Sequence, residues 1–274
     1  MGKSKRGGMF GNHKTPQPRK TRILCAVAVM DQCEPTMISS YVQARESSRH
    51  ANVDILWQIG DSAITRIRNH AYTECLDRPE YEWYAQWSAD IEVTNCTADD
   101  NVWDRLLAHG KEFIGGVYRP SSQGPVACTS FAVDGKPVWR GMGLVELSLL
   151  SGGLQLIHRS VLERMDAAYP ELRYNGMAHF EGRTIRGFAC GDLAKIPDGR
   201  TIFFTEDYWA VTRAKQIGVQ IWGDTDLTLK HWGKYPYRLP TLEQMNQANA
   251  MGADTESRMD RLKKYVGGEV KGGE

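Results

Sequence analysis

Four acids and a histidine have the types and settings for chemistry. Asp90 stands near the end of "EWYAQWSADIEV", residues 82–93, whose Trp, Tyr, Ala and Ile read as one buried strand over 82–91. Open α/β sheets bind ligands at the carboxyl ends of their strands. An acid there suits a divalent cation, although a strand that simply ends in solvent would carry the same acid. His231, in "LKHWG", follows another strand. One carboxylate and one imidazole, with phosphate oxygens and water completing the shell, suit Mn²⁺ or Mg²⁺, and the imidazole favours Mn²⁺. A histidine in that setting is more often structural, and spacing alone does not bring it to Asp90. Glu206 and Asp207, in "TEDYW", also have two readings. Acids in a first helical turn stabilise the helix dipole. Aimed into a cleft, a carboxylate takes a proton from a hydroxyl. Glu92, two residues after Asp90, is the fourth acid to weigh.

Other groups could hold a substrate. "TRIRN" offers Arg66, Arg68 and Asn69 as donors to a phosphate or a base, or as a solvated helix face. Arg68 lies four residues after Ile64, on the rim of the apolar face. In "SGGLQLI", Gly152 and Gly153 allow close backbone approach by a ligand, or merely a bend. No GxGxxG joins a strand to a helix and no GxxxxGK[ST] occurs, which disfavours a nicotinamide enzyme and a P-loop ATPase.

These residues need elements to position them. "RILCAVAV" (22–29) is a short apolar run, the first central strand, and "VDILWQIG" (53–60) is a second. Helices are expected over 36–48 and over 61–76, the latter capped by Asp61 or Ser62 with Ile64, Ile67, Ala71 and Cys75 facing inward. A helix over 101–110 ends at Gly110, and one over 205–218 runs from Thr205 to Gly218. Strands are expected over 112–119, 219–224 and 227–233, and a hairpin over 127–141 turning at Asp134-Gly135. From 144 to 165 run a strand, the double glycine, a strand and a helix with Ser160 and Glu163 at capping-box spacing. Residues 170–200 read as a long loop. Strands alternating with helices argue for an α/β layered domain.

Lys and Arg total 34 against 33 Asp and Glu, so the molecule as a whole is no polycation. Residues 1–22 differ: Lys3, Lys5, Arg6, Lys14, Arg19, Lys20 and Arg22 occur there without one acid. That stretch reads as a flexible basic arm. Nothing resembles a signal peptide or the run of about 18 apolar residues that spans a membrane. The scattered cysteines form no CxxC, as expected of reduced thiols in a cytoplasmic protein.

The order of the pieces is more telling than any one of them. "IGDSAITRIRN", "WYAQWSADIE", "FIGGVYRP", "GGLQLIHRSVLERM" and "FFTEDYWAVTRAKQIGVQIWGDTDLTLKHWG" together resemble a GT-A-fold glycosyltransferase over roughly residues 22–236. The likeness is to the compact single-domain enzymes of bacteriophages and bacteria, which would place the chain in a host cytoplasm if viral. The resemblance implies a GT-A mixed sheet flanked by helices over 22–240, between the basic arm of 1–21 and a helical tail of 241–274. It implies transfer of a sugar from a nucleotide-diphosphate donor, a UDP-sugar foremost. Ser88, Ala89 and Asp90 would occupy the place of the DxD motif, with Asp90 and His231 as ligands of Mn²⁺ or Mg²⁺. Asp31, Asp61, Arg68 and Asn69 would line the nucleotide pocket, and Gly152 and Gly153 would border the sugar. Glu206 or Asp207 would be the catalytic carboxylate, with Asp207 the base of an inverting mechanism. Ser88 departs from the motif, whose first residue is an acid, and Glu92 is the residue that could compensate.

The acceptor is open. The arm could follow phosphates, and phage enzymes of this kind include some that glycosylate hydroxymethylated bases in DNA, reached by flipping the base. Residues 176–191 could take part in that. A glycan, a protein or a small metabolite is the alternative. Two further classes remain: a nucleotidyltransferase, which would show a Gly-rich phosphate loop where this chain has "VMDQCEP", and a non-catalytic binding module that kept the fold.

Overall fold

In "TRILCAVAV", residues 21–29, successive side chains go to opposite cores. Ile23, Cys25, Val27 and Val29 pack on one side, and Leu24 and Ala26 on the other. A strand apolar on both faces must lie inside a sheet covered twice, and the chain is organised around that requirement. The computed structural model describes residues 19–29, 33–61, 63–120, 130–177, 180–195, 201–233 and 236–250. The basic arm up to residue 18 and Asp31 lie outside the described residues, as do Ser62 and residues 127–129 of the expected hairpin.

The elements in chain order are β1 (Thr21–Val29), α1 (Pro35–Ser47), β2 (Ala51–Ile59), α2 (Ile64–Asp77), β3 (Trp83–Trp87), β4 (Ile91–Val93), α3 (Val102–Ala108), β5 (Phe113–Gly116), β6 (Phe131–Ala132), β7 (Leu144–Leu149), β8 (Leu154–His158) and α4 (Arg159–Ala168). Short strands β9 (Arg173–Asn175), β10 (Thr184–Arg186), β11 (Asp192–Lys195) and β12 (Thr201–Phe204) follow. The chain continues as α5 (Glu206–Gln216), β13 (Ile221–Asp224), β14 (Leu229–Trp232), β15 (Pro236–Arg238) and α6 (Leu242–Ala250).

The main sheet has eight strands in the order β2-β1-β3-β8-β5-β13-β7-β6. β1 is parallel to β2 and β3, and β13 to β5, whereas β8 and β7 run antiparallel to their neighbours. Buried residues of α2, α4 and α5 belong to one core, among them Tyr72, Leu162 and Val211. Those of α1 and α3 belong to the other, with Tyr41, Trp87 and Trp103 in edge-on ring contact at its centre. This is the mixed sheet flanked by helices that the resemblance implies. Its topology sets the working edge. The carboxyl ends of β1, β2, β3, β5 and β13 open on one side, and the amino end of β8, preceded by Gly152 and Gly153, lies on that side too. No helix among the described residues is long and apolar enough to cross a membrane.

Several expectations are corrected. The strand foreseen over 82–91 is two strands in two sheets: β3 stops at Trp87, the chain turns through Ser88–Asp90, and β4 joins a three-stranded sheet in the order β15-β14-β4. Both pieces are buried, so hydrophobicity runs on across the break. Helix α2 starts at Ile64 with Ala63 as its N-cap, and Asp61 accepts instead from the Ala63 amide at 2.9 Å. Helix α4 is capped by the His158 ring, and Glu163 pairs with Arg159 at 2.6 Å rather than closing a box with Ser160. The stretch over 170–200 holds the β9–β10 hairpin and β11, which pairs with β12.

One buried carboxylate ties the α3 side to the sheet. Asp224, with 0% exposure at the end of β13, accepts from Arg105 Nε at 2.5 Å and Nη2 at 3.1 Å, from His109 Nε2 at 2.9 Å and from the Asp226 amide at 2.9 Å. Burial pushes its pKa up, but Arg105, His109 and the amide together bring it below the usual carboxylate value. A depressed folded pKa gives stability that is present above the unfolded value and is lost as pH falls through the folded one. Arg105→Ala leaves that carboxylate buried without its main partner, and we expect a loss of about 3 kcal/mol at pH 7 by denaturant unfolding. The gap from wild type should close as the solution is taken below about pH 4, the unfolded aspartate value.

Candidate active site

The site begins where β3 ends. The Ile91 amide bonds to the Ser88 carbonyl at 3.1 Å, closing a tight turn that carries Ser88, Ala89 and Asp90 across the sheet edge. β4 then pairs antiparallel with β14, setting His231 opposite Ile91 and Lys230 opposite Glu92, and the Trp232 amide reaches the Asp90 carbonyl at 2.7 Å. This register brings His231 Nε2 to 3.0 Å from Asp90 Oδ2, across 141 residues of sequence. The other ring nitrogen, Nδ1, lies 2.9 Å from the Arg119 carbonyl, and the Tyr118 ring stands edge-on at 5.2 Å. Burial lowers the His231 pKa, but Asp90 and the Arg119 carbonyl together raise it above the usual histidine value.

The donors can be tested against a divalent cation. The Asp90 side chain is 51% exposed and free to meet a ligand, while His231 is held by a carbonyl on Nδ1, the arrangement that leaves Nε2 to bind a metal. Among the described residues no group of three His, Cys, Asp or Glu could hold an ion. A cation held by this pair alone would have to take its remaining ligands from phosphate oxygens and water, as Mg²⁺ and Mn²⁺ do. Glu92 does not join it. Its carboxylate is buried, accepts from Trp232 Nε1 at 2.8 Å and is paired to Lys230 across the strands. It makes no substitute for the acid absent at Ser88.

Beside this pair the Gly152 peptide is clamped. Its carbonyl accepts from Gln86 Nε2 at 2.5 Å and Ser88 Oγ at 3.2 Å, and its amide donates to Asp207 Oδ2 at 2.8 Å. The Ser88 amide bonds to the Gly153 carbonyl at 2.8 Å. A Cβ at Gly152 would lie 2.5 Å from Gln86 and 2.7 Å from Arg68, and one at Gly153 would overlap the Tyr118 ring. The clash at Gly153 is with a packed ring, whereas that at Gly152 is with the ends of two long side chains. Asp207 Oδ1 accepts from Thr205 Oγ at 2.5 Å and from the Tyr208 amide at 3.0 Å. Thr205 is the N-cap of α5 as expected, but its hydroxyl bonds this carboxylate instead of a backbone amide. Glu206 accepts from the buried Arg68 at 2.5 Å. Burial lowers the Arg68 pKa, but Asp207 and Glu206 more than offset it.

A cleft of about 830 Å³ opens beside these groups, lined by Ala28, Glu34, Ile64, Arg68, Ser88, Ala89, Asp90 and Trp232 among others; Gly152, Glu206, Asp207 and His231 are not among its lining residues. Its volume suits a mononucleotide-sized ligand. Arg68 is the one cation among the described lining residues. Ile64, foreseen as a core residue, is 38% exposed and lines the cleft. Asp61 and Asn69 are placed elsewhere. Asp61 is held by Arg66 through two bonds of 2.6 Å, and Asn69 is buried, accepting from the Ala189 amide at 2.7 Å. Sequence reasoning missed Gln86, Tyr118 and Gln58. Gln86 had a signal, a lone amide inside the aromatic run "WYAQW". The Gln58 Oε1 is buried without a partner, in a small recess that it shares with Arg68, Gln86 and Ser88. Nothing local marks Tyr118, whose importance comes from Gly153 and His231.

No protein-family model matches the sequence, and no curated protein does. Among solved structures the chain is similar to A197 from STIV, at 13% identity and a TM-score of 0.49 over 78% of this chain and 86% of that one. It is similar to a glycosyltransferase involved in the glycosylation of the major capsid of PBCV-1, at 9% identity and a TM-score of 0.33 over 54% and 65%. A third is described as a glucose-1-phosphate thymidylyltransferase from Bacillus anthracis, in complex with a sucrose, at 10% identity and a TM-score of 0.33 over 85% and 96%. Likenesses this distant say nothing of which residues react.

The clamp can be tested by overpacking. Gly153→Ala should cost about 1–3 kcal/mol, because the new methyl meets the Tyr118 ring. Combined with Tyr118→Ala, the cost should fall short of the sum of the two single changes, read as a coupling in denaturant melts.

Proposed function

We propose that this chain is a GT-A-type glycosyltransferase that moves a sugar from a nucleotide-diphosphate donor, UDP-linked in the first instance, to a hydroxyl group. The observation that carries this is the meeting of Asp90 and His231 at the carboxyl edge of the sheet, beside a cleft of nucleotide size. Asp90 and His231 would hold Mn²⁺ or Mg²⁺, and the cation would supply charge neutralisation to the departing diphosphate. Ser88 and Ala89 complete the turn that presents Asp90. Arg68, oriented by Glu206, offers guanidinium donors to an anionic group in the cleft. Asp207, oriented by the Gly152 amide and the Thr205 hydroxyl, accepts the proton of the attacking hydroxyl in an inverting displacement. Glu206 serves as the partner of Arg68.

Calorimetry with UDP, GDP, CMP and their sugars, with and without Mn²⁺, tests the donor class. We expect one nucleotide to bind only with metal, and nucleoside diphosphate to be released on turnover. Pyrophosphate release would mean a nucleotidyltransferase, and no binding to any nucleotide would mean a module without a donor. Asp90→Ala and His231→Ala should each abolish metal-dependent turnover while leaving the circular dichroism spectrum unchanged. Because a proton on Nε2 competes with the cation and the His231 pKa is raised, metal affinity should weaken as pH falls through the range just above the ordinary histidine value of about 6.5.

For the acceptor, the same proposal extends to a hydroxymethylated base in DNA. Its support is the acid-free run of Lys and Arg in residues 1–22. Deleting residues 1–20 should weaken DNA binding and flatten its salt dependence, by about 0.9 in the log–log slope for each phosphate that the arm had neutralised. Unchanged binding would remove the arm and leave a glycan, protein or metabolite as acceptor.

A further inference from the structure

β2 is the outer strand of the main sheet, and its nine residues pair on one side with β1 without a bulge. Among the described residues no strand pairs with its other side. Long, regular edges recruit a further strand unless something blunts them. Lys20, Arg22, Arg45 and Glu46 border its end at residues 51–54, and among the described residues nothing blunts the rest of the edge. "ANVDILWQI" contains neither proline nor lysine, and its one charge, Asp54, is taken by Arg22 at 2.8 Å and by Tyr81 at 2.9 Å. Its apolar residues become more exposed along the strand. Ala51 and Val53 are buried, whereas Trp57 is 39% and Ile59 71% exposed. Ile38 and Val42 on α1 are 41% and 43% exposed. They flank Tyr41 at helical spacing, and the Tyr41 ring meets Trp57 edge-on at 5.5 Å. The half of the edge at residues 55–59 and its flank on α1 thus form an apolar surface that no described residue covers.

The order of side chains says what fits it. Antiparallel pairing of β2 with a second β2 about a two-fold axis at Ile55 sets Ile59 of one copy against Ala51 of the other, and Trp57 against Val53. On the other face Asn52 meets Gln58, and Asp54, held by Arg22 and Tyr81, meets Leu56. Ile55 meets its own equivalent. Every residue of the Ala51-Val53-Ile55-Trp57-Ile59 face finds an apolar partner, and the exposed Trp57 and Ile59 of each strand lie beside the buried Val53 and Ala51 of the other. On that face the strand is self-complementary, as a closed two-fold interface requires. We propose that this chain forms a symmetric dimer through β2, joining two main sheets into one continuous sheet. The occupant of the edge is a second copy of this chain.

Sedimentation equilibrium on the full chain at micromolar concentration should give a mass approaching twice 30.8 kDa. Ile59→Lys, at a site too exposed to threaten the fold, should raise the dimer dissociation constant at least tenfold with an unchanged circular dichroism spectrum. The register has its own test. Cα atoms facing each other across an antiparallel pair lie about 4.5–5.5 Å apart, within reach of a disulfide. Ile55→Cys treated with a thiol oxidant should therefore give a covalent dimer that oxidised wild type does not. A monomer at all concentrations would overturn the proposal. So would a dimer that ignores Ile59→Lys and fails to cross-link at position 55.

Discussion

The peptide of Gly152 is the constraint on which the site depends. It receives Gln86 and Ser88 from the end of β3, gives its amide to Asp207 at the start of α5, and leaves no room for a Cβ against Arg68. Three elements far apart in sequence thereby share one peptide plane. With no side chain to relax, a shift in that plane would move the α5 carboxylates and the Ser88–Asp90 turn together. Gly153 extends the constraint, since the Tyr118 ring fills the space of its missing Cβ and the same ring packs on His231.

The second requirement is register. Asp90 and His231 meet because β4 and β14 pair with Ile91 opposite His231. A slip of one residue would turn His231 to the other face of that small sheet. The Glu92–Lys230 and Glu92–Trp232 contacts oppose such a slip, because both need Lys230 opposite Glu92. Glu92 thus acts on the site by holding the strand pairing in place, two residues from the carboxylate that faces the cleft.

The charges of the site divide into a buried, fixed set and an exposed one. Arg68 is buried beside Glu206 and Asp207, and a cation in that position without an acid would be strongly disfavoured. The acids fix the guanidinium before any ligand arrives, so little side-chain entropy remains to be lost on binding. Asp90 is the contrasting case. Its side chain is half exposed, and its chief partner is the His231 imidazole.

Much of this was legible from the sequence. The apolar run of β1, the apolar face of α2 apart from Ile64 and the helix-ending glycines follow from residue type and local period, whereas residue type left Asp90, Arg68, Gly152, Glu206, Asp207 and His231 with structural readings as well, and their place in one site came from the resemblance. The break at Ser88 was not legible, because the segments on both sides of it are buried and one apolar run serves two sheets. β9 to β12 escaped notice because they are short and much of their surface is exposed, which leaves no periodic signal. The sequence by itself determined which groups were available and which local elements carried them, since helix period, strand alternation and glycine all act over a few residues. The tertiary structure alone decided that Asp90 meets His231, that Glu92 meets Lys230 and that Gly152 meets Asp207. Those meetings depend on strand register and on the close approach of backbone to side chain, which packing sets between segments 55 to 141 residues apart and no local pattern encodes.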